Sequence, residues 1–467
     1  MIEFFSKTRK QLKIYFDSIR NERLKNNLLQ AIPFWIASLI AGLVAVFYTR
    51  LFAYTERGTA YIFQHFSWMF FFLTPLCFII SWWLVKKFSS YARGSGIPQI
   101  MASIELATPK EQHKINKLLS LRIIFIKILS SLVLVFGGGV IGREGPTIQI
   151  SGAIFRKINQ LLPKWWPNIS RRNMIMTGAA AGLAAAFNTP LGGIVFAVEE
   201  LTKTHISYFK TALFTAVIIA GLTAQGLLGP YLYLGFPNIK DLSSFVFVGV
   251  IAVSILAGLS GSIMSKLILI IFRWKSKFKF NYQHVSYLVV CALLLATLAF
   301  FINVRIFGSG KEIMTTTLFT SNKSLPWYMP LFRIIGPIFS FTTGGAGGVF
   351  APSLSAGASI GAVFAGWFHL SDSNANLLIL SGMVAFLTGV TRTPFTSAIL
   401  VLEMTDRHNV IFHLMLAGMV ASLVALAVDK HSFYDHLKYF YLHELNKEEI
   451  EENKTPDEPA PNVAKDQ

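Results

Sequence analysis

Charge is scarce in this sequence. Only 14% of its 467 residues are Asp, Glu, Lys or Arg, against the ~25% usual in a soluble protein, while 53% are hydrophobic. That ratio argues against a soluble enzyme, and it excludes disordered and fibrous classes. Cysteine is nearly absent as well. Cys77 and Cys291 both lie inside apolar runs, so neither a disulfide framework nor a thiolate metal site is expected. The ten histidines show no HExxH spacing, and His443-Glu444 lacks the second histidine, so no metal or other cofactor is anticipated. A cleavable signal is not expected either. Residues 1–30 are polar and amphipathic, with Lys7, Arg9, Lys10, Lys13, Arg20, Arg23 and Lys25, which suits a cytoplasmic helical segment at the membrane surface.

What the sequence has in quantity is apolar runs. They begin near Ala31, Ser67, Leu119, Met174, Ala212, Phe245, Val285, Met329, Ala375 and His413, about ten candidates for the ~20 residues a helix needs to cross hydrocarbon. The net charge is +18, and residues 446–467 alone carry −4, leaving +22 on the rest. The basic residues cluster between apolar runs: Lys86 and Lys87, 110–122, 157–172, Lys203 and Lys210, and 273–279. This is the positive-inside pattern of a multi-pass membrane protein. It is not the groove-reading stripe of a nucleic-acid binder, and no nucleic-acid partner is expected. The reading divides the chain into a cytoplasmic helical segment (1–30), a first transmembrane repeat (31–235), a second repeat with a terminal helix (236–445) and a disordered acidic cytoplasmic tail (446–467).

The two repeats are visible in the residues. GAAAGLAAAFNTPLGGIVFAVEE, from Gly178 through Pro190 to Glu199, has the same internal spacings as GMVAFLTGVTRTPFTSAILVLEM, from Gly382 through Pro394 to Glu403, at an offset of 204. Pro146 of GREGP matches Pro352 of GVFAP at 206, and GSG at Gly94 matches GSG at Gly308 at 214. Repeats of this kind, each holding a glycine-broken segment, point to a transport site between two halves. Sequence alone leaves their relative inversion open.

Three segments place small residues and a proline where a helix should start: Gly94-Ser95-Gly96-Ile97-Pro98, Gly142-Arg143-Glu144-Gly145-Pro146 and Gly348-Val349-Phe350-Ala351-Pro352. A helix N-terminus offers unpaired N–H donors and about half a positive charge, so converging N-termini attract an anion without a full cation. Such a site binds weakly enough to release. Each residue also has a plainer role. Ser95 could be an N-cap, Tyr434 an interfacial belt residue, and Glu144 half of an ion pair with Arg143, although adjacent helical residues do not face each other. Glu199 and Glu200 could be a solvated helix end near Lys203. Glu199 has a repeat counterpart in Glu403, whereas Glu200 faces Met404, and this broken symmetry singles out Glu200. Gly137-x-Gly139-x-x-Gly142 and Gly357-x-Ser359-x-Gly361 match nucleotide and nucleophile-elbow patterns only formally, since neither follows a strand; close helix packing explains them.

GSGIP, GREGP, GVFAP and the late Tyr434 in HSFYDHL together resemble the CLC family of chloride channels and proton–chloride antiporters, over residues 94–434. Gln99 departs from the Glu that bacterial members often carry, and the tail holds no paired nucleotide-binding domains. The resemblance implies an all-α polytopic membrane protein of two inverted-topology repeats with tilted and broken helices. It implies exchange of chloride for protons, with a passive chloride channel as the alternative, and a homodimer with one pathway per subunit in a bacterial inner membrane, both termini cytoplasmic. By the same resemblance, Ser95 and Tyr434 hydroxyls and the Val349 and Phe350 amides bind a central chloride, with Gly145 in the same set. Glu144 becomes the gating glutamate and Glu200 the inner proton acceptor, a position where channel members generally carry an apolar residue.

Overall fold

The computed structural model describes residues 14, 16–18, 20–202, 210–229, 233–243, 245–320 and 323–452. Among these the chain is helical, and the only extended pairings are two isolated bridges, Gly94 with Ala346 and Gly142 with Gly348. The first half runs α1 (Glu22–Phe66), α2 (Phe70–Phe88), α3 (Ile97–Glu105), a single turn α4 (Ile115–Leu118), α5 (Leu121–Phe136), α6 (Glu144–Leu161), α7 (Arg171–Phe187), α8 (Pro190–Phe196) ending in a π-turn (Ala197–Leu201), and α9 (Lys210–Leu228). The second repeats the order: α10 (Val246–Lys275), α11 (Asn281–Phe301), α12 (Lys311–Phe319), α13 (Met329–Phe341), α14 (Phe350–Trp367), α15 (Asp372–Thr391), α16 (Pro394–Thr405) and α17 (Ile411–Val428). A final α18 spans Phe433–Glu452.

Seven helical segments among the described residues are long and apolar enough to cross a membrane, fewer than the ten apolar runs suggest. Two runs fall on buried or short helices, and the runs near Ala31 and Ser67 join in one helical segment, Glu22–Phe88. The run near Met174 is α7, buried along almost its whole length by its neighbours, and the run near Met329 is the 13-residue α13. Two boundaries also move. Residues 22–30 do not form a segment apart from the first repeat, because α1 continues through Pro33 as one 45-residue helix capped by Asn21. Residues 446–452 are helical rather than disordered. Lys117 pairs with Glu448 at 3.2 Å and Glu452 at 2.7 Å, and Lys114 with Glu449 at 2.9 Å, which extends α18 past the expected end. Lys114 and His113 hold the Glu449 carboxyl below its ordinary range. Residues 453–467 lie outside the described residues, as do 1–13 and Lys203.

The repeats are inverted, and two reciprocal contacts settle it. Glu199, at the end of α8, accepts from the Phe395 and Thr396 amides at 3.2 and 2.7 Å and from the Thr396 hydroxyl at 2.7 Å, in the first turn of α16. Glu403, at the end of α16, accepts from the Leu191 and Gly192 amides at 3.1 and 2.8 Å, in the first turn of α8. Each helix end caps the other helix start, so α8 and α16 are antiparallel and their two-fold axis is perpendicular to both. Gly142 and Gly348, equivalent at offset 206, exchange N–H···O bonds of 2.7 and 2.8 Å as an antiparallel pair. The same C-cap recurs as well: Asn188 after α7 and Arg392 after α15 hold φ of 56° and 63°. Arginine is costly there, and its guanidinium answers by donating to the Ala425 and Asp429 carbonyls at 3.1 and 3.3 Å.

Small residues let the central helices touch. A methyl on Gly357 of α14 would come within 2.9 Å of Met383 Cα on α15, and one on Gly361 within 2.7 Å of Ile379 Cα; the formal G-x-S-x-G pattern is a packing seam. Two connections are tied to neighbouring helices: α2 meets the start of α11 through Lys86 and Asn281, and Trp166 donates to the Leu29 carbonyl at 2.6 Å.

The reciprocal caps give a stability prediction. Glu199→Ala and Glu403→Ala should each cost about 1–2 kcal/mol, read as a lower unfolding midpoint of the detergent-purified protein. A Glu199 variant of unchanged stability that fails in transport would refute this role.

Candidate functional site

Three helices begin at one point inside the protein, and none of their first turns carries a side-chain cap: α3 after Gly96, α6 after Arg143 and α14 after Val349. Their lead-in loops are knitted together. The Gly94 amide donates to the Gly345 carbonyl at 2.8 Å, Gly347 donates back to the Gly94 carbonyl at 3.1 Å, and the Gly142–Gly348 pair joins the other two. Backbone that would be unsatisfied at membrane depth is thereby satisfied by backbone, leaving the helix-start amides free to face inward. Glycine is obligatory at the closest approach. A Cβ on Gly145 would overlap the Ser95 hydroxyl, and one on Gly348 would lie 3.2 Å from the Gly145 amide nitrogen.

The side chains named by the sequence meet here. Ser95 is 1% exposed and Tyr434 0%; their hydroxyls face one another, and neither closes a hydrogen bond. Phe350 contributes its amide end to the site and stacks its ring on Tyr434, centroids 6.2 Å apart at 10°. Tyr434 is held in place through α18: Lys438 pairs with Glu105 at 3.1 Å, Arg93 with Glu444, and the Lys114 and Lys117 bridges anchor the far end. Gln99, where the family resemblance leads one to look for Glu, donates to the Arg93 carbonyl at 2.8 Å and so steadies the turn that presents Ser95.

Glu144 opens α6 at 1% exposure. Its carboxylate lies against the Glu144 and Ala351 amides without closing a well-aligned hydrogen bond, in the niche that a Cβ on Gly142 would fill. Arg143 is no close partner: its Nε is 3.9 Å from Oε1, and the guanidinium donates at 3.4 Å to the Ala186 carbonyl of α7. Glu200 lies apart from this cluster, at 7% exposure in the π-turn that ends α8, within electrostatic range of Tyr434. The adjacent Glu199 turns the other way, onto α16.

Sequence reasoning missed the far side of Glu144. A cavity of about 80 Å³ lies there, lined by Glu56, Arg143, Glu144, Tyr233, Ser309 and Lys311 among others. Lys311 places its ammonium 4.7 Å from the Tyr233 ring centroid, and Glu56 accepts from Ser309. The second GSG at Gly308 was the available signal, used only to align the halves.

The convergence point can hold one small anion between neutral donors, with a single carboxylate able to take the anion's place. Gly145→Ala should therefore weaken binding of a small anion, with chloride as the test ion, roughly ten-fold or more, a cost of about 1.4 kcal/mol, measured by calorimetry on the detergent-purified chain, because the methyl competes with the Ser95 hydroxyl.

The voltage gated chloride channel family model matches residues 77–426. The chain is 28% identical over 412 residues to the H(+)/Cl(-) exchange transporter ClcA of Cronobacter sakazakii, covering 84% of this chain and 85% of that one. It is 27% identical over 459 residues to the protein of the same name from Salmonella typhimurium, covering 94% of each. Among solved structures it resembles a slow cyanobacterial Cl-/H+ antiporter, with a TM-score of 0.77 at 23% identity over 90% of this chain and 99% of that one. A CLC-type fluoride/proton antiporter gives 0.73 at 22%, covering 89% and 98%. With the family model spanning most of the chain and the fold agreeing along its length, this multi-pass membrane protein belongs to the voltage-gated chloride channel, or CLC, family.

Proposed function

We propose that the chain exchanges chloride for protons. The observation that carries this reading is the convergence of three uncapped helix starts on the paired, unbonded hydroxyls of Ser95 and Tyr434, with the Glu144 carboxylate folded against the same amides. Chloride would take donors from Ser95, Tyr434 and the amides of Val349 and Phe350, beside Gly145. Neutral donors hold an anion without trapping it. Ionised Glu144 competes with chloride for the amides; protonated, it loses that attraction and leaves. One side chain thus gates the anion and carries the proton.

Glu200 takes the second proton role. A passive pore needs no buried carboxylate on its inner side, so Glu200 favours exchange over a channel. The Ser95 hydroxyl favours chloride; fold likeness to a fluoride/proton antiporter does not choose the halide, and fluoride-selective relatives depart from GSGIP. Positive-inside bias of the basic connections supports a cytoplasmic start of α1 and a cytoplasmic α18, in a bacterial inner membrane as the Cronobacter and Salmonella relatives suggest. A homodimer is supported by α8 and α16. At 7 and 12 residues they are too short to cross ~30 Å of hydrocarbon, yet they expose Leu191 and Phe395 at 52% and 51%, a face that a second copy would cover.

Simultaneous chloride and proton flux from reconstituted liposomes tests the reading; chloride movement whose reversal potential ignores a pH gradient would make the protein a channel. In the same assay Glu144→Gln should reduce proton uptake to background while chloride still moves, because the amide does not titrate. Glu200→Gln should also lose proton transport and keep chloride flux.

Ser95→Pro should shift preference from chloride towards nitrate, and Tyr434→Ala should lower central chloride occupancy and loosen coupling, since each removes a hydroxyl donor. Chloride affinity unchanged in both variants would mean that neither side chain touches the ion.

A further inference from the structure

The two GSG turns are one device used in opposite halves. Gly94 and Gly96 hold φ of 64° and 106°, Gly308 and Gly310 hold 68° and 84°, and each turn leads into a nine-residue helix. The serine between the glycines is buried in both, 1% exposed at Ser95 and 5% at Ser309. Their partners differ. The Ser95 hydroxyl closes no hydrogen bond, whereas Ser309 donates its N–H at 2.9 Å and its hydroxyl at 2.8 Å to one oxygen of Glu56, from α1. Two convergent donors on a single oxygen are what a bound anion receives at a helix start. An acidic side chain occupies the place of a free one.

This niche opens on the 80 Å³ cavity behind Glu144, which exceeds the ~10–15 Å³ that a single water needs on the same measure and so has room for a halide. Lys311 and Arg143 bring two cations to that cavity, and Glu56 and Glu144 two carboxylates. Glu144 is buried, and its oxygens accept no hydrogen bond. With both acids ionised the charges balance. Without Glu56 the cavity carries a surplus positive charge beside two emptied donors. We propose that the Ser309 turn is a further halide niche on the Glu144 side of the pathway, kept shut by Glu56 acting as a tethered anion. The proposal rests on the exchange reading for its physiological sense, since a plug here keeps anions from lodging beside the gate.

Chloride calorimetry on the full-length, detergent-purified protein tests it. Glu56→Ala should bind one more chloride per chain than the wild type, and the added site should vanish in the Glu56→Ala, Lys311→Met double variant. An equal number of sites in the wild type and a monodisperse Glu56→Ala variant overturns the niche and leaves Glu56 as a cap of α12. Should the alanine variant not stay monodisperse, Glu56→Gln keeps an acceptor for Ser309 while removing the charge. It should bind the extra chloride more weakly, and no extra chloride again overturns the proposal. A wild-type chain that binds no chloride speaks against the exchange reading instead; the niche is decided by the difference between variant and wild type.

Discussion

Everything in this protein is arranged around backbone N–H groups left uncapped inside a membrane protein. Such groups cost several kcal/mol each in hydrocarbon, so a chain that keeps three helix starts open must shield them with protein and satisfy the loops in front of them. The Gly94–Gly345, Gly347–Gly94 and Gly142–Gly348 bonds do the second, and α7, α15 and α18 pack on the helices that start there. Cheap backbone contacts are available only where side chains are missing, which is why glycine rather than any polar residue marks all three loops.

Inversion supplies the convergence. A two-fold axis perpendicular to the helices turns α6 and α14 so that equivalent starts face one another across Gly142 and Gly348. The scaffold is symmetric down to its caps, as Glu199 with Glu403 and Asn188 with Arg392 demonstrate. The chemistry is not. Glu144 stands opposite Phe350 and Glu200 opposite Met404, so one half contributes the carboxylates and the other apolar side chains. Symmetry builds the cradle, and departures from it carry the charge.

That division explains what could be read in the sequence. The repeat and the three glycine-proline loops were legible because each depends on spacing along one segment. The extent of α18 was not, since its last turns are held by Lys114 and Lys117, over 300 residues away. Nor was the cavity behind Glu144, because Glu56 and Ser309 meet across 253 residues. That one helix runs across residue 30 was not legible, for a local reason. The polar start and apolar body of α1 look like two segments in composition, yet nothing between them breaks the helix, and Pro33 falls within it.

A fixed cation at the convergence point would bind a small anion more tightly than amides and hydroxyls can, and the protein keeps its cations back from it. Arg143 turns its guanidinium to the Ala186 carbonyl, and Lys311 lies across the cavity against Tyr233. Buried charge is strong at short range in a low dielectric, so a cation in direct contact would hold the anion and also lock Glu144 in its ionised form. Neutral donors impose no such lock. On the exchange reading that is what allows a proton to decide whether the site holds the protein's own acid or a chloride ion.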